Sequence, residues 1–294
     1  MTDPNRIRYK VNTTPLDHAP VPPPPTDAQP LKLGVLEQLP PPVSAHSPAG
    51  DIIDARSIPP IDIIPNSVIG QPVGQVRLVP IGRGMSRTLG RLYVTFDGQV
   101  YHCTAQFVGA LNVILTAGHG VFDEVGGAGF FSDAVFYAGF NDGCYTSAHR
   151  WQCAAVYSGW ADQRIYHYDF GFIKLHSAGT AALGLQGNTG RSPMTSLGYS
   201  QGFYDARQAV YVNGPVAPAP SNPAGKYSGC LHMPGNDLEE GSSGGAWVYD
   251  AYAESVNSFN VTGYPDDMYG PKFDSSAMDL FDFVKKGCVT ENPR

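Results

Sequence analysis

Three short stretches of this chain hold residue types that could together do chemistry: Gly241-Ser242-Ser243-Gly244-Gly245, Thr116-Ala117-Gly118-His119 and Tyr168-Asp169-Phe170-Gly171. A serine hydroxyl is a poor nucleophile at neutral pH. Attack on a carbonyl needs an imidazole that takes the hydroxyl proton and later delivers it to the leaving group. His119 suits that role toward Ser243. A buried carboxylate must hold such an imidazole in one tautomer and stabilise the imidazolium that forms, which assigns Asp169, with Asp162 as the next acidic candidate. The tetrahedral oxygen then needs donors already in place, and the flanking glycines let the backbone aim the amides of Gly241 and Ser243 at one point.

Each stretch alone has a plainer reading. A Ser/Gly run is commonly a flexible turn, a histidine at a strand end is commonly structural, and an aspartate before a strand is commonly a turn residue. The order His119, Asp169, Ser243 carries more than any one of them. It is the chain order of chymotrypsin-type serine proteases, and it differs from that of subtilisins and α/β-hydrolases. The elements that must position these residues are short. Val113-Ile114-Leu115-Thr116-Ala117 reads as a strand ending at the turn signals Gly118 and Gly120, and Phe170 to Leu175 reads as another strand directly after Asp169. Short Val/Ile/Tyr/Phe runs alternate with Gly, Pro, Asn and Asp clusters over residues 75–270, which predicts an all-β sandwich or barrel set. One helix is expected near the C-terminus: Ser276-Ala277-Met278-Asp279 resembles a capping box, Ala277, Leu280, Phe281 and Val284 recur at helical spacing, and Lys285-Lys286-Gly287 forms a stop.

The segment from Ser67-Val68-Ile69-Gly70 to the C-terminus resembles the V8-like, glutamyl-endopeptidase branch of the chymotrypsin-like serine proteases. The match lies in that tetrapeptide, in Gly90-Arg91-Leu92 through Gly118-His119-Gly120, in Tyr168 to Leu175, and in Gly241 to Trp247. The resemblance implies two six-stranded antiparallel barrels with the active site between them, and a C-terminal helix docked on the second barrel. It also implies serine endopeptidase activity on polypeptide substrates through an acyl-enzyme, and secretion. Residues 68–294 would form the protease domain, and a monomer is expected. In the same resemblance Ser258-Phe259-Asn260 matches the strand that lines the specificity pocket and pairs with the substrate backbone. Asn257 stands where glutamyl endopeptidases carry a histidine for the substrate carboxylate; it can donate a hydrogen bond but brings no positive charge. Asp237 lies six residues before Ser243, where trypsins keep a pocket aspartate, so Asp237, Glu239 and Glu240 are either a pocket favouring lysine or arginine or a solvated acidic loop.

The first 67 residues are different in kind. They hold fifteen of the 26 prolines and no sustained period, so they read as extended, polyproline-like chain and linker, either a disordered tail or a propeptide released near Asn66 to Ile69. A zymogen latch through an N-terminal amine is not expected, because Ser242 is neutral where trypsin-like enzymes carry an aspartate. Five cysteines leave an odd one and show no zinc spacing. Cys144 and Cys153 are close enough to staple one loop, while Cys103 matches a cysteine whose usual partner position is here Gly120, so that bridge is absent.

A net charge of −7 disfavours nucleic acid and anionic membranes as partners, and no run reaches transmembrane length. Glu124-Val125-Gly126-Gly127-Ala128-Gly129 lacks the strand-turn-helix frame of a phosphate loop, so no cofactor is implied. Asn12-Thr13-Thr14 and Asn260-Val261-Thr262 fit a glycosylation sequon. Two further readings stay open: a catalytically inactive protease-fold binding module, and an intracellular protease with a proline-rich interaction tail.

Overall fold

A computed structural model describes residues 3–13, 21–32, 34–36, 57–58, 74–82, 84–124, 126–188, 190–220, 227–261 and 264–289. Six antiparallel strands, Leu89–Phe96, Gln99–Phe107, Val113–Thr116, Asp133–Ala138, Ser147–Tyr157 and Gly171–Leu175, form a ring that closes where the last pairs with Ser147–Tyr157. The first hairpin of this barrel turns at Asp97-Gly98, both at positive φ (47° and 78°), the turn chemistry that matches the right-handed twist of paired strands. Successive side chains point to opposite faces of a strand. Ala154, Val156, Ile173 and Leu175 accordingly fill the barrel interior with Phe107, Ile114 and Phe136. Cys153, Ala155 and Phe172 belong instead to a second apolar cluster outside the barrel.

That outer face is where the C-terminal helix docks. Helix Ser275–Lys285 packs on the first barrel, not on the second: Phe281 meets Phe172 at 5.8 Å, the Tyr157 hydroxyl donates to the Ser276 carbonyl at 2.9 Å, and a disulfide joins Cys153 to Cys288. The expected docking side was wrong because the strands it covers are apolar on both faces. Its cap also differs, since Asp274 rather than Ser276 accepts the free amide, from Ser276 at 2.7 Å. The expected Cys144–Cys153 staple does not form. Cys144 is an exposed free thiol at a hairpin tip, and Ala138 pairs with Ser147, so Cys153 lies six residues down the strand. At roughly 3.3 Å per residue that places it about 20 Å from the tip.

The strands of the second barrel are divided between two packed sheets. Met194–Gly198, Val210–Gly214, Ala246–Tyr249 and Tyr252–Val256 lie in one, and Cys230–Pro234, Phe259–Val261 and Tyr264–Pro271 in the other. Val210, Val212, Leu231, Met233, Trp247 and Met268 fill the space between them. The chain changes sheet at Asn257-Ser258. A Cβ on Gly270 would lie 2.1 Å from the Val256 carbonyl oxygen, so only glycine lets the sheets meet this closely at the corner.

Described parts of the first 67 residues differ from a free linker, since they add strands to both barrels. Ile7–Val11 runs antiparallel to Ser147–Tyr157, with Ile7 opposite Tyr157 and Val11 opposite Cys153. Gln29–Pro30 runs parallel to Gln99–Phe107, Gly34–Leu36 parallel to Phe259–Val261, and Ser57–Ile58 antiparallel to Gly184–Gln186. Backbone pairing at exposed edges needs no side-chain period, and proline is tolerated on an edge. The expected release site near Asn66 to Ile69, and Thr14 and Thr262 of the two sequons, lie outside the described residues.

Candidate active site

The apolar strand Val113–Thr116 delivers His119 onto a single 3-10 turn, Gly118–Gly120. Another such turn, Tyr166–Tyr168, ends at Asp169, whose side chain is fully buried. The backbone N–H of His119 donates to Asp169 Oδ1 at 2.8 Å, and the ring Nδ1 lies 2.9 Å from Oδ2. A carboxylate accepts only, so Nδ1 carries the proton and Nε2 keeps its lone pair for a base role. The Ser258 hydroxyl donates to the same Asp169 Oδ2. Gly118 makes this approach feasible, since a Cβ there would sit 3.0 Å from Asp169 Oδ1. Asp162 is held elsewhere, by Arg8 at 2.9 Å.

Ser243 is positioned through backbone. Gly241 and Gly244 flank it at φ +84° and +82°, and a Cβ at Gly244 would fall 2.2 Å from Thr116 Oγ1 and 2.5 Å from the Thr104 carbonyl oxygen. Strand Gln99–Phe107 holds the loop from the first barrel. Thr104 N–H donates to the Ser243 carbonyl at 2.9 Å, Thr104 Oγ1 to the Gly241 carbonyl at 2.9 Å, and Gln106 Nε2 to the Gly244 carbonyl at 2.9 Å. Ser243 Oγ and His119 Nε2 are each buried with no hydrogen-bond partner among the described residues, so the bond expected between them is not formed in this structure. Bonds of this kind are often long in unliganded enzymes and tighten when substrate arrives. Ser242 Oγ is likewise buried and unpartnered.

The expected pocket residues divide. Asn257 is fully buried and wholly committed: its Nδ2 donates to the Leu197 and Ser242 carbonyls, and its Oδ1 accepts from Ser196 and Trp247. Ser258 holds Asp169. Phe259 is buried, stacked on Tyr269 at 5.2 Å, and Asn260 donates to the Asp267 carbonyl at 2.9 Å. Asp237 is partly buried, with an unpartnered Oδ1, and desolvation holds its carboxyl above the ordinary range, with Asp266 adding to the effect. Beside His119 lies a cavity of about 480 Å3 whose walls include Tyr101, Trp160, Glu240 and Leu31. Three histidines away from His119 are bonded elsewhere: His149 to the Ser147 and Ser177 hydroxyls, His167 to Asp274, and His232 to Asp267. The anchoring roles of Thr104, Gln106 and Ser258 were not read from sequence, because only the fold brings those residues to the loop.

Position 120 accounts for the missing bridge. A Cβ on Gly120 would lie 3.3 Å from Cys103 Sγ, so the two positions face each other and Cys103 remains a buried free thiol. Burial raises that thiol to about 12, and it stays protonated.

No protein-family model matches the chain, and no curated protein matches it. Solved structures do. The protease Anisep from Arthrobacter nicotinovorans is similar over 73% of this chain and 100% of its own, with a TM-score of 0.61 and 20% identity. The thermostable serine protease AL20 from an extremophilic microorganism covers 70% of this chain and 99% of its own, with a TM-score of 0.58 and 22% identity. A Glu endopeptidase in complex with MPD covers 74% and 99%, with a TM-score of 0.58 and 20% identity. The fold is chymotrypsin-like.

Proposed function

We propose that this protein is a serine endopeptidase in which His119, oriented by Asp169, activates Ser243, and in which the amides of Gly241 and Ser243 stabilise the oxyanion. The observation that carries the reading is the buried Asp169 carboxylate, which receives the His119 backbone, the His119 ring and the Ser258 hydroxyl at once. A fully buried carboxylate in this position fixes one imidazole tautomer and leaves Nε2 as the base. Hydrolysis of an extended peptide, lost in Ser243→Ala chain of unchanged melting temperature, is the expected result. Equal turnover in both would overturn the reading.

Within that activity, a V8-like preference for glutamate has no support from Asn257, whose amide is already spent on four partners. Glu240 lines the cavity beside His119, which supports a preference for lysine or arginine before the scissile bond; Asp237 does not line that cavity and lends this no support. A peptide panel varied at that residue alone should give its highest kcat/KM after a basic residue; faster cleavage after glutamate would reverse the assignment. The disulfide between Cys153 and Cys288 supports an oxidising, extracellular location. The inactive binding-module reading is favoured by one observation, the unformed bond between Ser243 and His119; the same hydrolysis assay separates the two.

A further inference from the structure

Leu31 is held by two backbone hydrogen bonds beside Gly241, with its side chain facing Gly120. Its N–H donates to the His102 carbonyl at 2.8 Å, its carbonyl accepts from the Gly241 N–H at 3.1 Å, and its Cδ2 lies 3.7 Å from where a Gly120 Cβ would be. Two residues before and three after, the same segment pairs with protein edges: Gln29 and Pro30 lie opposite Tyr101 and His102, and Gly34, Val35 and Leu36 opposite Phe259, Asn260 and Val261. The segment therefore spans from the first barrel to the second, directly across Gly241. It occupies one of the two amides assigned to the oxyanion and the strand edge assigned to the substrate backbone.

We propose that residues 29–32 and 34–36 act as an intramolecular blocker of the peptide-binding groove, a proposal that rests on the endopeptidase reading above. A substrate carbonyl that needs the Gly241 N–H in the transition state meets a donor already taken, and must displace Leu31 first. A peptide adding to the Phe259–Val261 edge meets an edge already paired. The contact need not be strong. Each hydrogen bond is modest once exchange with water is counted, and a tethered segment acts at an effective concentration in the millimolar range. Occupancy is thus reversible, and the open fraction sets the apparent affinity for substrate. Leu31 also explains Gly120: without a side chain or a bridge there, the leucine has a seat against Cys103. This segment offered no signal in the sequence beyond its prolines.

The test loosens the anchors that hold the Leu31 carbonyl on the Gly241 N–H. Leu31→Pro deletes the N–H that bonds His102, and Leu31→Gly, a milder change at a partly buried residue, deletes only the side-chain seat. Both should lower KM for an extended peptide substrate, at least fivefold for Leu31→Pro, with kcat within twofold, as expected when a competitor is removed. A fluorescein-labelled peptide of residues 27–36 supplies a readout independent of turnover. In a Ser243→Ala background it should bind the Leu31→Pro chain at least tenfold more tightly than the chain with Leu31 intact. Equal KM and equal peptide affinity in intact and substituted chains that melt cooperatively would overturn the blocker. Preferential peptide binding without hydrolysis in any Ser243 chain would uphold the blocked groove and defeat the endopeptidase reading instead.

Discussion

Asp169 accepts from the His119 backbone, the His119 ring and Ser258, whereas the hydroxyls of Ser242 and Ser243 have no hydrogen-bond partner among the described residues. The two halves of the site are therefore built on different terms. His119 follows and Asp169 precedes a strand of the closed first barrel, and Asp169 is bonded directly at its side chain; the Ser243 loop belongs to the second, open pair of sheets and is held at its carbonyls, by Thr104, Gln106 and Asn257, with its hydroxyl left free of bonds among the described residues. A buried hydroxyl left unpaired costs about 1–3 kcal/mol. Under the proposed reading that cost on Ser243 Oγ and His119 Nε2 is recovered when substrate brings the two together, so the contact between Asp169 and His119 is preorganised and the contact between His119 and Ser243 is left to be made.

Breaking the fixed half should cost most. Asp169→Asn keeps the shape of the side chain but reverses the donor it presents to Nδ1, which favours the wrong tautomer; kcat should fall about 10,000-fold with KM changed by no more than a few-fold. Steady-state kinetics check this, and a loss of tenfold or less would remove Asp169 from the acid role. Ser258→Ala takes away one of the three donors and leaves the other two. The expectation is a fall in kcat of about tenfold, equivalent to about 1.4 kcal/mol in the barrier, without a change in KM. An unchanged kcat would mean that Ser258 serves the fold only.

The smallest effect sharpens the comparison through a second histidine. His102 sits almost wholly buried beside the Gly241 loop, where burial and then the charge of Arg91 lower its pKa from 6.5 to about 3. The folded chain thus keeps it neutral while the unfolded chain takes a proton below about 6.5. Its contribution to stability is present above that pH and is lost progressively as pH falls toward about 3. Melting temperatures measured across that window should fall less steeply for His102→Gln than for the wild type, and parallel slopes would show that other groups carry the acid sensitivity.

Much of the positioning was legible in the chain itself. The strand ending before His119 and the strand after Asp169 are short apolar runs bounded by turn residues. The C-terminal helix announced itself by spacing, but its docking side did not, because the outward face of Ser147–Tyr157 looks like its inward face in sequence. Cys153 and Cys288 pair across 135 residues, a contact no local pattern carries. The amide of Asn257 was read as a pocket group and proves to be a brace between Leu197, Ser242, Ser196 and Trp247, since side-chain direction at a sheet corner is set only by the fold. Strands of two or three residues such as Gln29–Pro30 and Gly34–Leu36 are too short to show any period at all.

The most direct test of the shared site is covalent. A serine-directed phosphonate applied to the Leu31→Pro chain, followed by peptide mapping in a mass spectrometer, should place one adduct on Ser243, slow its formation at least a hundredfold in His119→Ala, and abolish it in Ser243→Ala. An adduct on another residue, or equal labelling with and without His119, would contradict the account.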